Sequence, residues 1–475
     1  MQNQGVGRKA EQDLSEGWVF ALLAASVLAA YFGAFRNYFI NDDFLHLDFI
    51  QSFRGSYLEF FLPHLRPSDV VTGARYEPLH VIFYALLYPV FGMFFPAYQA
   101  LHLVLHTLNA WLIFRIGRHL GIQSSGALLG ALFFCVYRLN SQAVLWYSSL
   151  FCTAAAGLML GAFLALMRPG FRHQAVSAGL FFAASLMSLR APQYLLLAAA
   201  WLWIYRKPLT DGGLLKEKFA AGLAAVAAAG LSGAANVISW RHFPNDLPPP
   251  EIDLFAIPAF LMNLVFPYEA PWFLKAAAVA LTAALAAFRW KDAAVRFLVC
   301  AALLNSVFWF LLISCSHLPY APRYLYLGSV FYCLLMGHIL GSALRGGRGL
   351  QRILAGLLAA GFLLGNMVLT VRQDTVWFRY LSVRGEKLTA LAAEPGAERK
   401  RLKLEGDFFE DDPNLNFFRG RLEFVSPEQA DQAGVFAVDL EREKYQRILR
   451  RDIGKDYWFQ PWFIKRPCRD DSPWC

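Results

Sequence analysis

Long apolar runs alternate with short polar segments along most of this chain. Roughly 20 helical residues cross the hydrocarbon core of a bilayer, so each long run is a candidate membrane span. The pattern predicts an all-α polytopic membrane protein with about 11 transmembrane helices. The predicted spans lie at about residues 18–39, 98–117, 125–138, 149–167, 175–190, 193–206, 217–238, 271–289, 297–314, 324–343 and 350–370.

Two further apolar segments break the simple alternation of spans. Pro78–Pro96 is long enough to cross, but counting it as a span would place the later arginine-rich loops outside. Because Pro89 and Gly92 interrupt it, we interpret it as an amphipathic, interfacial or re-entrant helix within a long first outer loop, at about residues 40–97. The same interpretation applies to Phe255–Phe266.

Basic residues recur in every second loop between the predicted spans. The positive-inside bias therefore predicts a cytoplasmic amino terminus, residues 1–17, and a carboxyl terminus on the outer face. Residues 1–17 are polar and the apolar run after them is too long for a signal core, so we expect a retained span. The basic residues of the predicted inner loops are Arg115, Arg118, Arg168, Arg172, Arg206, Lys207, Lys216, Lys218, Arg289, Lys291, Arg296, Arg345, Arg348 and Arg352.

Composition agrees with a membrane protein, because 57% of the 475 residues are hydrophobic and only 17% are charged. The net charge is +9, and residues 371–475 hold 19 basic and 19 acidic residues. The excess charge therefore belongs to the membrane part, residues 18–370, where it reports topology and not nucleic-acid binding. After residue 370 the spans cease, and residues 371–475 are long enough for a small soluble domain on the outer face.

Two adjacent aspartates, Asp42 and Asp43, follow the first predicted span. A carboxylate at the membrane boundary, beside a second one, suits a general base whose pKa is raised. The alternative is an Asn-Asp sequence that merely ends a helix in a solvated turn. His46 lies one helical turn beyond Asp42 and either orients it or forms a local hydrogen bond.

Two arginines, Arg75 and Arg323, stand at the outer ends of apolar segments. An arginine in such a place either forks onto a phosphate or extends its charge to the interface. Arg138 and Gln142 form a second polar cluster at an outer span end. We expect these groups to lie on the same side of the membrane as the two aspartates.

His102 and His106 share one face of the second predicted span, four residues apart. That spacing permits a metal pair, but no Asp or Glu accompanies them on this helix, so polar packing between helices is the alternative. The whole sequence lacks a phosphate-binding glycine loop and a zinc-type cysteine pattern. Nucleotide substrates and a resident metal are not expected.

Taken in order, the short motifs of the chain resemble the GT-C superfamily of polyprenyl-phosphate-dependent glycosyltransferases, over roughly residues 18–345. The similarity is to the branch of protein O-mannosyltransferases and lipid A aminoarabinose transferases, and to mannosyltransferases with tetratricopeptide repeats. The matching motifs are Asp42-Asp43, Tyr76-Glu77-Pro78-Leu79, His102-Leu103 with Asn109-Ala110, Gln142-Ala143-Val144-Leu145-Trp146 and Arg323-Tyr324-Leu325-Tyr326.

The resemblance implies a glycosyltransferase of a bacterial-type inner membrane that acts on the outer face. Its donor would be a polyprenyl-phosphate sugar, a hexose or pentose, and its acceptor a glycan, a lipid or a protein, with no cofactor. Asp42 is the implied catalytic base, Asp43 its support or substitute, and Arg75 and Arg323 the implied phosphate ligands. The other residues expected to bind substrate are His46, Tyr76, Glu77, His102, His106, Arg138, Gln142 and Tyr324.

The chain departs from this family at two positions. Glu77 stands where relatives commonly carry Arg or Lys, and Gln142 stands where many carry an acid. The carboxyl-terminal part also lacks tetratricopeptide periodicity. Two alternatives remain: a non-catalytic or transport protein of glycan or lipid metabolism, and a polysaccharide polymerase or ligase. A transport protein would be expected to carry ionisable residues deep inside its membrane spans. A ligase would be expected to have a large outer loop near the end of its membrane part.

Overall fold

The structure is a computed structural model of the 475-residue chain. It describes residues 14–40, 43–63, 76–188, 191–211, 214–242, 256–267, 271–312 and 322–393, together with three short strands at 401–404, 423–425 and 435–438.

The described part of residues 14–393 is built from helices joined by short connections. The helices are α1 (Glu16–Tyr31), α2 (Asp43–Ser52), α3 (Pro78–Phe91), α4 (Phe95–His119), α5 (Ser124–Val136), α6 (Ser141–Leu145), α7 (Leu150–Met167), α8 (Phe171–Met187), α9 (Pro192–Ile204), α10 (Arg206–Asp211), α11 (Leu215–His242), α12 (Ala256–Val265), α13 (Trp272–Phe288), α14 (Ala293–Leu312), α15 (Tyr326–Gly346), α16 (Leu350–Arg372) and α17 (Arg379–Ala393).

Shorter turns of helix join several of these elements. A π-helical turn, Gln373–Phe378, links α16 to α17. The 3-10 turns are Phe32–Arg36, Tyr57–Phe61, Arg138–Asn140, Tyr147–Ser149 and Pro322–Leu325.

Each of the eleven predicted spans corresponds to a helix in this structure. Among the residues that the structure describes, six helical segments are long and apolar enough to cross a bilayer, or seven if one bent pair counts as a single span. The others are shorter, so the number eleven stays a prediction. The six are Glu16–Arg36, Phe95–His119, Tyr147–Met167, Lys218–Ser239, Tyr326–Gly346 and Leu350–Thr375.

The segment predicted to be re-entrant forms α3, a helix of 14 residues. At 1.5 Å per residue it is about 21 Å long, which is shorter than the roughly 30 Å hydrocarbon core. Pro78 occupies its first turn, where a missing amide costs nothing, and Gly92 ends it with φ of 54°. The bounds of α3 therefore follow from its own proline and glycine residues.

The chain after α5 bends sharply instead of forming a surface loop. Ser124–Val136 and Arg138–Leu145 are bent by 49° relative to each other, and Tyr137 between them has an extended backbone. Residues 139–148 were predicted to be an outer loop. They form short helical turns that are buried, because their apolar side chains pack into the core, Val144 and Leu145 among them.

Glycines bring the backbones of α5 and α15 into direct contact. A Cβ atom on Gly337 would lie 2.2 Å from the backbone nitrogen of Gly130 and 2.6 Å from the carbonyl oxygen of Gly126. Small residues at helix interfaces permit this close approach in membranes. The seam between α5 and α15 therefore depends on the absence of side chains at these positions.

Gly337→Ala is expected to lower the thermal unfolding midpoint of the purified protein, because the new methyl group collides with backbone atoms and costs about 1–3 kcal/mol of stability. Gly361→Ala in α16 is the matched control, since a Cβ there meets nothing within 4 Å. Equal midpoints for the two variants would contradict the packing described for this seam.

The helix bundle has two ends, which we name by the residues found there. At the Arg115 end, the Arg115 guanidinium contacts the Glu16 carboxylate at 2.8 Å, and the Lys218 ammonium group donates to the Arg168 carbonyl. The Asp43 end is opposite, where α1 finishes and α2 begins. These contacts involve three basic residues of the predicted inner loops, and which side of the membrane this end faces stays a prediction.

The helical body does not stop at residue 370, where the sequence predicted a domain boundary. The chain continues from α16 through the π-helical turn into α17, which packs at the Asp43 end. Beyond it, strands β1 (Arg401–Leu404), β2 (Glu423–Val425) and β3 (Val435–Val438) form a parallel sheet in the order β2-β1-β3. The predicted tail domain therefore contributes helices to the membrane part and also contains a small sheet.

Candidate functional site

Asp43 lies at the first turn of α2 and is fully buried. Its Oδ2 accepts a hydrogen bond from the Ile40 amide at 2.8 Å, while its own amide donates to the Ile40 carbonyl at 2.9 Å. Its Oδ1 accepts from the Ser148 amide at 2.8 Å and from the Ser148 hydroxyl. The Asp43 carboxylate therefore ties the end of the first span to the turn that precedes α7.

This geometry argues against the solvated turn that the sequence left open for Asp43. A buried carboxylate is tolerated when donors surround it, and three donors reach this one. Asp42, the other member of the pair, lies outside the described residues, and so does Arg75. The structure thus locates one of the two predicted catalytic acids and one of the two predicted phosphate ligands.

His46 is buried among aromatic rings on the inner side of α2. Its ring centroid lies 4.9 Å from that of Tyr84, 5.4 Å from that of His80 and 6.3 Å from that of Tyr147. The Tyr84 hydroxyl in turn donates to the Tyr147 carbonyl at 2.7 Å. His46 thus packs α2 against α3 and the Tyr147–Ser149 turn.

The predicted residues Tyr76 and Glu77 stand just before α3, and both are buried. The Tyr76 amide donates to Asn236 Oδ1 at 2.7 Å and its hydroxyl donates to the Phe61 carbonyl at 2.9 Å. Burial raises the pKa of the Tyr76 phenol. Glu77 Oε2 lies 3.2 Å from His80 Nδ1, so the acid that replaces a basic residue of the family has an imidazole beside it.

Arg323 contacts both Gln142 and Trp146, although about 180 residues separate it from them in sequence. The Arg323 amide donates to Gln142 Oε1 at 3.2 Å, and the guanidinium carbon of Arg323 lies 4.6 Å from the centre of the Trp146 ring. Stacking of this kind holds a guanidinium group in place while its N–H donors stay available at the edge.

A single segment, residues 142–148, connects the buried acid to this arginine. Its first residue, Gln142, bonds the backbone of Arg323, and its last, Ser148, bonds Asp43. Asp43 and Arg323 belong to motifs that lie far apart along the chain. The segment 142–148 connects them at the Asp43 end of the bundle.

His102 and His106 lie in the interior of the bundle, both buried. His102 Nδ1 is 2.6 Å from the Val144 carbonyl. His106 Nδ1 is 2.7 Å from the Tyr326 hydroxyl, and its Nε2 is 3.2 Å from the Cys135 carbonyl. The geometry matches the interhelical packing that the sequence left open, and we do not include these histidines in the substrate site proposed below.

Arg138 and Tyr324 differ in how far the structure describes them. The Arg138 guanidinium donates to the Pro267 carbonyl at 2.8 Å and the Arg138 amide donates to Asn366 Oδ1 at 3.1 Å, so this residue links α5 to α12 and α16. Tyr324 belongs to the Pro322–Leu325 turn, and its side chain lies outside the described residues.

Two polar residues at this end were not singled out from the sequence. Asp374, in the π-helical turn, is buried and accepts a hydrogen bond at Oδ1 from Asn37 Nδ2 at 2.9 Å. In the sequence Asp374 follows Arg372 and Gln373, just after the last predicted span, so the hydropathy pattern does not distinguish it from an ordinary polar residue at a span end.

Within the described ranges, no group of three His, Cys, Asp or Glu side chains could hold a metal ion. Glu77 Oε2 and His80 Nδ1 lie 3.2 Å apart. An amide oxygen such as that of Gln142 is a neutral ligand, weaker for a divalent ion than a carboxylate.

Neither a protein-family model nor a curated protein sequence matches this chain. Solved structures do match it. The apo crystal structure of the oligosaccharyltransferase from Archaeoglobus fulgidus has a TM-score of 0.50 and 10% sequence identity, over 89% of this chain and 66% of that one. The crystal structure of its complex with Zn and sulfate has a TM-score of 0.50 and 12% identity, over 87% and 62%.

A third match is the archaeal oligosaccharyltransferase AglB from the same organism, in complex with an inhibitory peptide and a dolichol-phosphate. It has a TM-score of 0.49 and 10% identity, over 87% of this chain and 65% of that one. This chain spans less than two-thirds of the length of these proteins. The fold of this chain is similar to that of the archaeal oligosaccharyltransferase, in agreement with the GT-C resemblance of its sequence motifs.

Proposed function

We propose that this protein is an integral-membrane glycosyltransferase. It moves a sugar from a polyprenyl-phosphate donor to a glycan, lipid or protein acceptor at the Asp43 end of the bundle. Support comes from the GT-C fold and from the meeting of three motifs at one end. The observation that carries the proposal is the segment 142–148, which contacts Arg323 at one end and Asp43 at the other.

The proposed reaction is an inverting displacement at the anomeric carbon of the donor sugar. Asp42 takes the proton from an acceptor hydroxyl or amine, and the acceptor's lone pair forms the new bond to the anomeric carbon. The bond between that carbon and the phosphate oxygen breaks, and polyprenyl phosphate leaves with the electron pair. The proton on Asp42 is then released to solvent.

Asp43 supports this reaction by fixing the start of α2, where it is the residue next to Asp42 in sequence. Its oxygens already accept hydrogen bonds from Ile40 and Ser148, so it is poorly placed to take a proton from an acceptor. This division of labour assigns one acid of the pair to chemistry and the other to position. It agrees with the chemical expectation that only one of two adjacent carboxylates faces a given substrate.

Arg323 stabilises the departing phosphate in this proposal. An arginine presents planar N–H donors that match phosphate oxygens, and charge that develops on a leaving group is stabilised most by donors already in place. Trp146 beneath the guanidinium group and Gln142 at its backbone provide that placement. Arg75 is the second proposed ligand, from the sequence resemblance.

The proposed site faces the outer side of a bacterial-type inner membrane. The basic residues at the Arg115 end mark the cytoplasmic side by the positive-inside bias, and the Asp43 end is opposite. A donor with a polyprenyl chain would reach this end from within the bilayer, while the acceptor would approach from water. Membrane lipid is therefore an expected partner.

Purified protein in lipid nanodiscs, given radiolabelled polyprenyl-phosphate sugars and periplasmic-type acceptors, should transfer the label. Arg323→Ala should reduce the rate by about 10²–10³-fold, the usual cost of losing one donor that stabilises developing charge. Arg206→Ala is the matched control, because Arg206 also stacks on a tryptophan, Trp203, at 4.6 Å. Arg206 is next to Tyr205, whose hydroxyl donates to the Leu120 carbonyl near the Arg115 end. The control arginine is therefore at the opposite end of the bundle from Asp43.

An equal effect of the two arginine substitutions would argue against a phosphate role for Arg323. Absence of transfer with every donor tested would overturn the proposed function itself. The donor is to be chosen from the lipid-linked glycans of a deletion strain, since the unused sugar donor should accumulate there.

A further inference from the structure

Residues 33–40 run alongside residues 374–392 at the Asp43 end of the bundle. The contacts recur along both segments. The Arg379 guanidinium donates to the Arg36 carbonyl, and Asn37 donates to Asp374. Ile40 at the end of the first segment exchanges hydrogen bonds with Asp43, the first residue of α2.

We call the contacts between these two segments the strip. Both of its ends are packed too closely for a glycine there to carry a side chain. A Cβ on Gly33 would lie 2.7 Å from Asp374 Oδ2 and 2.8 Å from Thr375 Cγ2. A Cβ on Gly385 would lie 2.3 Å from the Phe39 carbonyl oxygen and 2.8 Å from the edge of the Phe44 ring. Such distances leave Phe39 and Phe44 little freedom to move away from α17.

Asp374 provides a buried polar contact near the Gly33 end of the strip. It is fully buried, and its Oδ1 accepts from Asn37 Nδ2 at 2.9 Å. A hydrogen bond to a charged or buried group is costly to break, because the partner left behind stays desolvated. Asn37 is itself buried. Opening the contact would therefore leave two buried polar side chains without this hydrogen bond.

A π-helical turn brings Asp374 to this position. The turn Gln373–Phe378 inserts extra backbone into the last span and redirects the side chains that follow. π-Helical turns of this kind occur frequently at functional sites. A regular continuation of α16 would present residue 374 at a different angle to Asn37.

We propose that Asp374 is a positioning residue for Asp43, acting through Asn37, and that α17 is a fixed part of the proposed site. This inference rests on the proposed function for its catalytic meaning. Its structural content does not depend on that function: the Asn37–Asp374 contact holds residues 37–40, and with them the hydrogen bonds between Ile40 and Asp43.

The test measures backbone amide exchange in the full-length protein in nanodiscs, together with sugar transfer. Asp374→Ala and Asn37→Ala should each speed exchange in the peptide 37–47 by about tenfold, which corresponds to the loss of one net hydrogen bond of roughly 1.4 kcal/mol. The double variant should exchange no faster than either single variant, because both remove the same contact.

Matched variants separate positioning from general damage. Thr375→Val removes an exposed hydroxyl that bonds the Val371 carbonyl of its own helix at 2.7 Å but keeps the methyl group that faces Gly33, and it should leave exchange in 37–47 unchanged. Asp374→Asn keeps an acceptor for Asn37 and should restore slower exchange relative to Asp374→Ala. Transfer should fall in kcat, with the KM for acceptor changed little, in the variants that exchange fast.

Two results would overturn the inference. One is faster exchange confined to α16 and α17, with the peptide 37–47 unaffected by Asp374→Ala. The other is fast exchange in 37–47 with full transfer activity. If wild-type protein transfers no sugar at all, the proposed function fails, while the exchange result still decides whether Asp374 holds residues 37–40.

Discussion

Asp42→Asn should lower the rate of sugar transfer by about 10²–10⁴-fold, the usual contribution of a positioned general base. The amide has nearly the same size as the carboxylate but cannot take the acceptor proton. The measurement is the initial rate of label transfer from a polyprenyl-phosphate sugar, at equal amounts of folded protein. The loss should appear in kcat, because binding of the donor does not depend on the base.

Asp48→Asn is the matched control for this substitution. Asp48 lies on α2, one helical turn and a half after the pair, and is only partly buried. Partial burial raises the pKa of its carboxyl, so it is also an acid in a perturbed environment. Full activity of Asp42→Asn, or an equal loss in Asp48→Asn, would remove Asp42 from the role of base.

Asp43→Ala should be more damaging to the fold than Asp42→Asn. It leaves the Ile40 amide, the Ser148 amide and the Ser148 hydroxyl buried without their acceptor. Each unsatisfied buried donor costs about 1–3 kcal/mol, so we expect a loss of at least about 3 kcal/mol in stability. Thermal unfolding in nanodiscs, followed by tryptophan fluorescence, measures this as a lower midpoint.

Ser148→Ala separates the parts of this network. It removes only the hydroxyl and keeps the amide bond to Asp43, so it should cost about 1 kcal/mol. The expected order of unfolding midpoints is therefore wild type, Ser148→Ala and Asp43→Ala, from high to low. An Asp43→Ala midpoint equal to that of wild type would show that the carboxylate does not hold the turn at Ser148.

The helices were largely predictable because each apolar run must form its own backbone hydrogen bonds in lipid. The runs at 98–117 and 350–370 became α4 and α16 with small shifts at their ends. The buried turns of residues 138–149 were not predictable as such. Their polar residues resemble a loop in sequence, and only packing against α4 and α15 shows that they lie inside.

The residues of the candidate site were predictable in part from the sequence, but the contacts between them were not. Gln142 and Arg323 were both named from their motifs, but their contact depends on the meeting of α6 with the Pro322–Leu325 turn. His46 was expected to orient Asp42 or bond locally, which stays a prediction, and the structure adds that its ring packs beside Tyr84 and His80. Ring packing of that kind leaves no periodic signal in a single sequence.

The sequence by itself determined the membrane class, the order of helices, the placement of the acid pair after the first span, and the family resemblance. These properties are local or additive: hydropathy, charge bias and motif order can be read without knowing which residues touch. Only the tertiary structure decided which acid is held by buried hydrogen bonds, which arginine contacts the same segment as that acid, and that Asp374 contacts Asn37. Those contacts join residues up to 337 positions apart, and close packing, not local pattern, selects them.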